Sequence, residues 1–186
     1  MAGLVLCGGA SRRMGVDKAT LSHPDGGTAV DGAARALVAA GARPVLVATG
    51  TAGRLGSLGY VEVDDGEEHR GAGPLAGILA GLRRSADDGY HLLAVLAVDL
   101  PNASPDLFRW LRERWRPADN ALVALDSSGR PQPMHALYAT SLVGQIDDQL
   151  RAGERRVLRL LDAVDARLLS TPFGDAWSWN RNTFGR

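Results

Sequence analysis

The sequence predicts one α/β domain with a mostly parallel central sheet and a smaller antiparallel part near residues 121–139. Two observations lead to this prediction. Hydrophobic patterns typical of strands and of helices alternate along most of the chain. Residues 92–98 (LLAVLAV) form the most apolar run in the sequence, which is typical of a central strand that is buried on both faces.

Strands in the first half are short apolar segments that end at glycine-rich or polar loops. We expect them at residues 3–7, 45–49, 60–63 and 92–98. Two helices lie between these strands. Residues 29–40 have apolar residues at helical spacing and are followed by Gly41, which favours a helix end. Residues 74–84 begin with Pro74, which is well suited to a first helical turn.

The second half combines helices with shorter strand-like segments. Ser104 and Pro105 provide a cap and a first-turn proline for a helix that extends to Trp115. A polar turn separates two strand-like segments, residues 121–125 and 134–139. Further helices are expected at residues 141–151 and 155–161, and strands or extended segments at residues 164–170 and 173–180.

The charge balance and the single cysteine exclude several classes of protein. The 186 residues include 21 basic and 21 acidic residues, which argues against a generic nucleic-acid or anionic-membrane binder. Cys7 is the only cysteine, so an intramolecular disulfide and a four-cysteine zinc site are both excluded. The first apolar run is short and no basic residues precede it, and no apolar run reaches membrane-spanning length. We therefore expect a cytoplasmic protein.

The basic residues have an unusual composition. Twenty of them are arginines, and Lys18 is the only lysine. Such a bias is typical of GC-rich coding, under which lysine tends to be replaced by arginine. Lys18 is therefore a candidate for a position where arginine would not function, although chance also accounts for one remaining lysine.

The segment from Leu6 to Lys18 (LCGGASRRMGVDK) follows the first predicted strand and combines glycines, a hydroxyl group, two arginines and the lysine. Glycines allow tight turns that bring backbone N–H groups close to an anion, and arginine and lysine side chains neutralise phosphate oxygens. The segment lacks the Gly-Lys-Ser/Thr sequence of a Walker loop and the G-x-G-x-x-G pattern of a dinucleotide-binding loop. It therefore predicts a phosphate-binding loop of another type.

Asp99 is the best candidate for a metal ligand. It ends the most apolar predicted strand, where a carboxylate has no packing role. Mg²⁺ binds one or two carboxylates together with phosphate oxygens and water. The alternative is that Asp99 caps the helix that begins near Ser104, although the gap between them is long for a cap.

The motifs of this sequence together resemble those of the molybdenum cofactor guanylyltransferase family. The segment from Leu6 to Lys18 resembles the family pattern L-x-G-G-x-S-x-R-M-G-x-D-K, with Cys7 at a position usually held by alanine. Five further stretches resemble family motifs in order and spacing: Gly73–Gly77, Val98–Pro101, Pro133–Tyr138, Ala152–Val157 and Asn180–Thr183. These stretches cover nearly the whole chain, and Ala152–Val157 (AGERRV) narrows the resemblance to the molybdenum-cofactor branch.

The resemblance implies a fold and a reaction. The fold is a three-layer, Rossmann-like nucleotidyltransferase fold formed by a single domain over residues 1–186. Residues 1–102 would form a nucleotide-binding half and residues 103–186 an acceptor-binding half. The reaction is transfer of GMP from GTP to the phosphate of molybdopterin, with Mg²⁺ as cofactor and release of pyrophosphate. Molybdoenzymes or their chaperones would be partners.

The resemblance also implies roles for individual residues. Catalytic roles fall to Arg13, Lys18 and Asp99, of which Asp99 also binds the metal. The nucleotide-binding residues are Leu6, Cys7, Gly8, Gly9, Ser11, Lys18, Asp65 and Asp99. Asp64 is an alternative to Asp65, because this loop is one residue longer than the family pattern. Two adjacent arginines can bind an anionic pterin phosphate. The acceptor-binding residues are Arg155, Arg156, Asn180 and Asn182.

Two departures from the family pattern leave alternatives open. Ala48 and Thr49 end a strand at a point where the resembling enzymes can place an asparagine near the base. Transfer of CMP or another nucleotide, to molybdopterin or to another phosphorylated acceptor, is therefore the first alternative. The last motif has Phe184 where proline is usual. A non-catalytic, nucleotide-binding delivery module is the second alternative.

Overall fold

The computed structural model describes residues 1–7, 18–51, 53, 55, 59–100 and 102–178. These residues form seven strands: β1 (Ala2–Leu6), β2 (Val45–Gly50), β3 (Val61–Asp64), β4 (Leu92–Ala97), β5 (Ala121–Leu125), β6 (Pro131–Ala139) and β7 (Arg167–Ser170). They also form five α-helices: α1 (Ala29–Ala39), α2 (Pro74–Asp87), α3 (Pro105–Arg114), α4 (Val143–Arg151) and α5 (Val157–Ala163). Short 3-10 helices occur at Lys18–Thr20, Thr140–Leu142 and Asp175–Ser178.

All seven strands belong to one sheet, in the order β3-β2-β1-β4-β6-β5-β7. β1 pairs in parallel with β2 on one side and with β4 on the other, so that Val5 faces Val47 and Leu96. β2 and β3 are also parallel, as are β5 and β7. β6 is antiparallel to both of its neighbours, β4 and β5. The predicted mostly parallel sheet with an antiparallel part near residues 121–139 is confirmed.

Helices cover both faces of the sheet and form three layers. Side chains of α2, α4 and α5 pack on one face, where Leu4 of β1 points. Side chains of α1 and α3 pack on the other face, where Val5 points. Residues 92–97 are mostly buried because β4 lies inside the sheet with helices on both faces. None of the helices in the described residues is long and apolar enough to cross a bilayer.

Helix α2 lies very close to β1 because glycines face the sheet. A Cβ atom on Gly77 would lie 2.9 Å from Cδ2 of Leu6, and one on Gly81 would lie 2.6 Å from Cδ2 of Leu4. A larger residue at either position would force the leucine side chain or the helix to shift. The two glycines therefore allow α2 to pack closely on β1.

The predicted helix starts and ends have visible causes. Thr28 and Asp31 form a capping box at the start of α1, and Gly41 follows the end of that helix with a φ of 88°. Ser104 caps α3 by accepting a hydrogen bond of 3.4 Å from the backbone N–H of Leu107. The expected caps of both helices are thus confirmed.

Residues 173–180 were expected to be a strand or an extended segment, and this prediction is wrong for the described part. Asp175–Ser178 form a 3-10 helix. The Asp175 carboxylate accepts a hydrogen bond of 2.9 Å from the backbone N–H of Ser127, in the turn between β5 and β6. Trp177 is buried against β6. The apolar and aromatic residues of this segment therefore cover the sheet instead of extending it.

His135 of β6 is completely buried between two aromatic side chains. Its ring stacks on Phe108 of α3 at 5.7 Å and meets the Trp177 ring edge-on at 5.1 Å. Neither ring nitrogen has a hydrogen-bond partner among the described residues. Burial lowers the pKa of His135 to about 3, so the ring is neutral in the folded protein.

The buried His135 makes the free energy of unfolding depend on pH. Below a pH of about 6.5 the unfolded chain binds a proton at this ring while the folded chain does not, so stability falls as the pH falls toward 3. Between pH 7.5 and pH 5, His135 should lower the free energy of unfolding of the wild-type chain by about 2 kcal/mol. We expect His135→Leu to lack this contribution. Urea unfolding at both pH values measures this difference.

His91→Gln is the matched control, because His91 is exposed at the start of β4. This variant should keep the pH dependence of the wild-type chain. An equal pH dependence in the wild type and in His135→Leu would contradict the assignment to His135.

Candidate functional site

Lys18 and Asp99 meet at the carboxyl ends of β1 and β4. The chain passes from β1 to β2 on one side and later forms β4 on the other side, and α/β sheets bind ligands where the strand order reverses in this way. Nζ of Lys18 lies 3.4 Å from Oδ2 of Asp99. Their side chains are 24% and 21% exposed, so both remain accessible from solvent. The pair offers a cation and a carboxylate at the expected ligand position.

The geometry removes the capping interpretation of Asp99. Helix α3 is capped by the hydroxyl group of Ser104, which accepts from the N–H of Leu107. Asp99 lies two residues beyond β4 and pairs with Lys18. The Asp99 carboxylate therefore lies beside an ammonium group just beyond a strand end and is partly exposed to solvent.

Several predicted site residues lie outside the described part of the chain. They are Gly8, Gly9, Ser11 and Arg13 in the first loop, and Asn180 and Asn182 near the end. Their proposed contacts with phosphates or with the acceptor stay predictions. The described ends of the first loop, Cys7 and Lys18, show that this loop connects the end of β1 to the ion pair with Asp99.

Leu6 and Cys7 have side chains in the core. Leu6 is 6% exposed and packs toward α2, and Cys7 is 5% exposed on the opposite face of the sheet. The backbone N–H of Cys7 donates to the carbonyl oxygen of Ala48 at 2.8 Å. Their predicted contact with a nucleotide would therefore involve backbone atoms near the strand end. Cys7 behaves as a small apolar residue, as free cysteines often do.

Asp64 and Asp65, the two candidates after β3, have different environments. Asp64 is exposed and accepts a hydrogen bond of 2.7 Å from the N–H of Gly66. Asp65 is 9% exposed, and its Oδ2 accepts from the N–H of Gly71 at 3.1 Å. Burial raises the pKa of Asp65, while the Gly71 bond opposes this shift. Asp65 thus fixes the loop from inside, and its contact with a nucleotide stays a prediction.

A cluster of charged side chains holds the same loop from outside. This cluster, called the Asp147 cluster below, consists of Glu68, His69, Arg83, Asp147 and Arg151. Nε2 of His69 lies 2.6 Å from Oδ1 of Asp147, and Nη2 of Arg83 lies 2.8 Å from the same oxygen. Arg151 reaches Oδ2 of Asp147 at 3.3 Å and Oε1 of Glu68 at 3.0 Å. The cluster joins the loop to α2 and α4.

Glu68, His69 and Asp147 place three possible metal-ligand atoms within 4.8 Å of one another. Two guanidinium groups, from Arg83 and Arg151, already contact the carboxylates of this group. A divalent cation there would face both positive charges at close range. The chemistry of the cluster is therefore that of an ion-pair network.

Arg155 and Arg156, the predicted acceptor ligands, differ in their partners. The guanidinium of Arg156 contacts both carboxylate oxygens of Glu154, with Nε 2.8 Å from Oε1. This pairing lowers the pKa of Glu154 to about 2. Arg155 is exposed, and its guanidinium has no hydrogen bond or ion pair among the described residues. Arg155 is thus the more available of the two for an anion.

The segment 152–156 follows a helix that ends beside the loop containing Asp65. β6 runs against the other strands, so α4 starts at the opposite edge and returns toward the carboxyl ends of the parallel strands. Arg151, the last residue of α4, contacts Glu68 in the loop after β3. The predicted acceptor-binding arginines therefore follow a helix that ends beside the predicted nucleotide loop.

Comparison with known protein families shows which family this chain belongs to. Residues 3–167 match the family described as MobA-like NTP transferase domain. This chain belongs to that family. A MobA-like relative from Opitutus terrae is 36% identical over 188 residues, which cover 97% of this chain and 91% of the relative. A second, from Mycobacterium tuberculosis, is 39% identical over 166 residues, covering 89% and 81%. Both are named probable molybdenum cofactor guanylyltransferase.

Solved structures share the MobA-like fold. Molybdopterin-guanine dinucleotide biosynthesis protein A from Archaeoglobus fulgidus superposes with a TM-score of 0.74 at 23% identity, covering 91% of this chain and 83% of that one. Rv0371c from Mycobacterium tuberculosis, solved in complex with manganese, gives a TM-score of 0.65 at 18% identity, covering 91% and 87%. The resemblance to the guanylyltransferase family and the predicted nucleotidyltransferase fold are confirmed.

The Lys18–Asp99 geometry predicts that Lys18→Arg removes most of the activity of this MobA-like enzyme despite keeping the charge. A planar guanidinium needs more room than an ammonium and presents its donors in a fixed fork, so it would not place a single donor where Nζ of Lys18 lies. We expect at least about a 10-fold loss of the rate of pyrophosphate release from a nucleoside triphosphate. Arg84→Lys, on the exposed face of α2, is the control and should keep the rate. A near-normal rate in Lys18→Arg would contradict this prediction and would mean that the single lysine reflects the composition of the chain alone.

Proposed function

We propose that this chain transfers GMP from GTP to the terminal phosphate of molybdopterin and forms a guanine dinucleotide cofactor. The observation that carries the proposal is the Lys18–Asp99 pair at the reversal of strand order. The shared name of the relatives that align with nearly the whole chain supports the choice of GTP and of the acceptor.

The reaction needs positioning and charge neutralisation more than covalent help from the protein. An oxygen of the acceptor phosphate attacks the α-phosphorus of GTP, and the bond from this phosphorus to the β-phosphate oxygen breaks. Pyrophosphate leaves with the electron pair. Lys18 and Arg13 would offset the negative charge that increases on the transferred and leaving groups. Backbone N–H groups of Gly8 and Gly9 would hold the triphosphate.

Asp99 is the residue that would hold a divalent cation. Manganese in the complex of Rv0371c supports a divalent ion in this fold, and we propose Mg²⁺ for this chain. The donor set fits, because Mg²⁺ typically takes one or two protein carboxylates and completes its shell with phosphate oxygens and water. When bound, such an ion would stabilise negative charge on the phosphate oxygens.

The distance between the predicted subsites suits one nucleotide. Asp65 follows β3, and Asp99 follows β4, three strand spacings away in the sheet. Three spacings correspond to about 14 Å, a distance that a nucleoside triphosphate can span. This supports a nucleotide that lies across the carboxyl ends of β3, β2, β1 and β4, with its phosphates at Lys18.

The acceptor-binding role of Arg155, Arg156, Asn180 and Asn182 is part of the same proposal. The proposal also divides the chain into a nucleotide-binding half (residues 1–102) and an acceptor-binding half (residues 103–186). It includes a cytoplasmic location, with molybdoenzymes or their chaperones as recipients of the product. The availability of the Arg155 side chain supports the first of these points.

A thermal-shift measurement with magnesium tests the choice of base. A ligand that binds the folded chain stabilises it by about 2.7 kcal/mol at a concentration 100 times its Kd. Because the proposal makes GTP the nucleotide that binds more tightly, GTP should raise the Tm more than CTP does at equal concentration. A larger shift with CTP would contradict guanylyl transfer.

Pyrophosphate release with GTP, magnesium and molybdopterin, lost in Asp99→Ala, distinguishes an enzyme from a delivery module. Binding of GTP with no turnover in the wild type would favour the module.

The different partners of the two arginines predict different effects on the acceptor. Arg155→Ala should raise the KM for molybdopterin about 10-fold, because a charge-assisted hydrogen bond is lost, and should leave the KM for GTP unchanged. Arg156→Ala should have a smaller effect, since Glu154 already binds its guanidinium. Arg159→Ala, in the first turn of α5, is the control. An effect of Arg156→Ala equal to or larger than that of Arg155→Ala would contradict this difference.

A further inference from the structure

The loop between β3 and α2, residues 65–73, is held to helix α4 by a buried histidine and by the more exposed Glu68–Arg151 ion pair. The His69 side chain is only 4% exposed, and its Nε2 lies 2.6 Å from Oδ1 of Asp147. Inside the loop, the carbonyl oxygen of His69 accepts from the N–H of Ala72 at 2.9 Å. His69 therefore links the internal hydrogen bonds of the loop to a residue 78 positions away in the sequence.

Asp147 is well suited to remain a carboxylate at this point. The His69 hydrogen bond is the largest cause that lowers the pKa of Asp147, and the charges of Arg83 and Arg151 act in the same direction. One carboxylate thus ties together the loop, helix α2 and helix α4. Exposed ion pairs contribute little to stability, but this network includes a histidine that is almost fully buried.

Helix α4 connects Asp147 to the predicted acceptor segment, residues 152–156. Two hydrogen bonds join the last turn of α4 to this segment: the N–H of Gly153 donates to Leu150 at 2.9 Å, and the N–H of Glu154 donates to Gln149 at 3.1 Å. Asp147 lies one turn before Arg151, the last residue of α4. A shift of Asp147 would therefore move the start of the segment that contains Arg155.

We propose that His69 and Asp147 are positioning residues that couple the nucleotide loop to the acceptor segment. The proposal rests on the proposed function, in which Asp65 lies beside the nucleotide and Arg155 beside the acceptor. The His69–Asp147 bond fixes the relative position of these two subsites. Each substrate then binds to a site whose neighbouring subsite is already in place, which lowers the cost of ordering both.

A comparable ion pair involves β7, the edge strand on the side of the sheet opposite β3, and provides a control. Arg167 at the start of β7 binds Asp119, with Nε 2.9 Å from Oδ1, and the Asp119 side chain is 7% exposed. This pair lies at the amino ends of the parallel strands, away from Lys18 and Asp99. Asp119→Asn should therefore lower the Tm without changing nucleotide binding.

The experiment compares wild type, His69→Ala, His69→Gln and Asp119→Asn in the full chain. Calorimetry measures the Kd of GTP with magnesium, and hydrogen exchange measures protection at residues 66–72 and 153–156 without ligand. We expect His69→Ala to weaken GTP binding about 5-fold or more and to reduce protection in both segments. His69→Gln should restore both properties, because a glutamine amide can donate to Asp147.

Unchanged GTP affinity and unchanged protection of residues 153–156 in His69→Ala would overturn the proposal. So would equal losses in His69→Ala and Asp119→Asn, since these would reflect general destabilisation. If the wild type binds no GTP, the proposed function is what fails. Hydrogen exchange then decides the coupling alone: loss of protection in both segments supports it, and loss confined to residues 66–72 rejects it.

Discussion

Lys18 and Asp99 are 81 residues apart in the sequence, and they meet because β1 and β4 are neighbours in the sheet. The chain first builds β2 and β3 on one side of β1 and then crosses to the other side. In α/β sheets, such a reversal of strand order is where ligands bind, at the carboxyl ends of the strands, here β1 and β4. A carboxylate and an ammonium group placed there can act on a phosphate and a cation together. Every other feature of the site depends on this crossing.

The packing of the sheet serves the same edge. Gly77 and Gly81 let α2, the helix that follows the loop with Asp65, approach β1 closely. β6 is antiparallel to its neighbours, so the helix that follows it starts at the far edge and ends beside that loop. The single antiparallel strand among those described therefore brings the end of α4 to the loop that contains Asp65 and Glu68.

Much of this arrangement could be predicted from the sequence because its signals are local. The apolar run of β4, the caps at Ser104 and Gly41 and the lone lysine after β1 each depend on a few neighbouring residues. His69 could not be interpreted in this way, since its partner Asp147 is distant in sequence and no spacing rule connects them. The described part of residues 173–180 was wrongly predicted because its apolar and aromatic residues resemble those of a strand, whereas Trp177 covers His135. Long-range pairing, which the topology decides, accounts for what the sequence pattern could not predict.

A crystal structure with GTP and magnesium tests the central claim most directly. The account predicts a metal ion bound to the Asp99 carboxylate and the Nζ atom of Lys18 within hydrogen-bond distance of a phosphate oxygen, with the nucleotide lying across the carboxyl ends of β1 and β4. A nucleotide bound elsewhere on the chain, with the Lys18–Asp99 ion pair intact and distant from every phosphate, would contradict it.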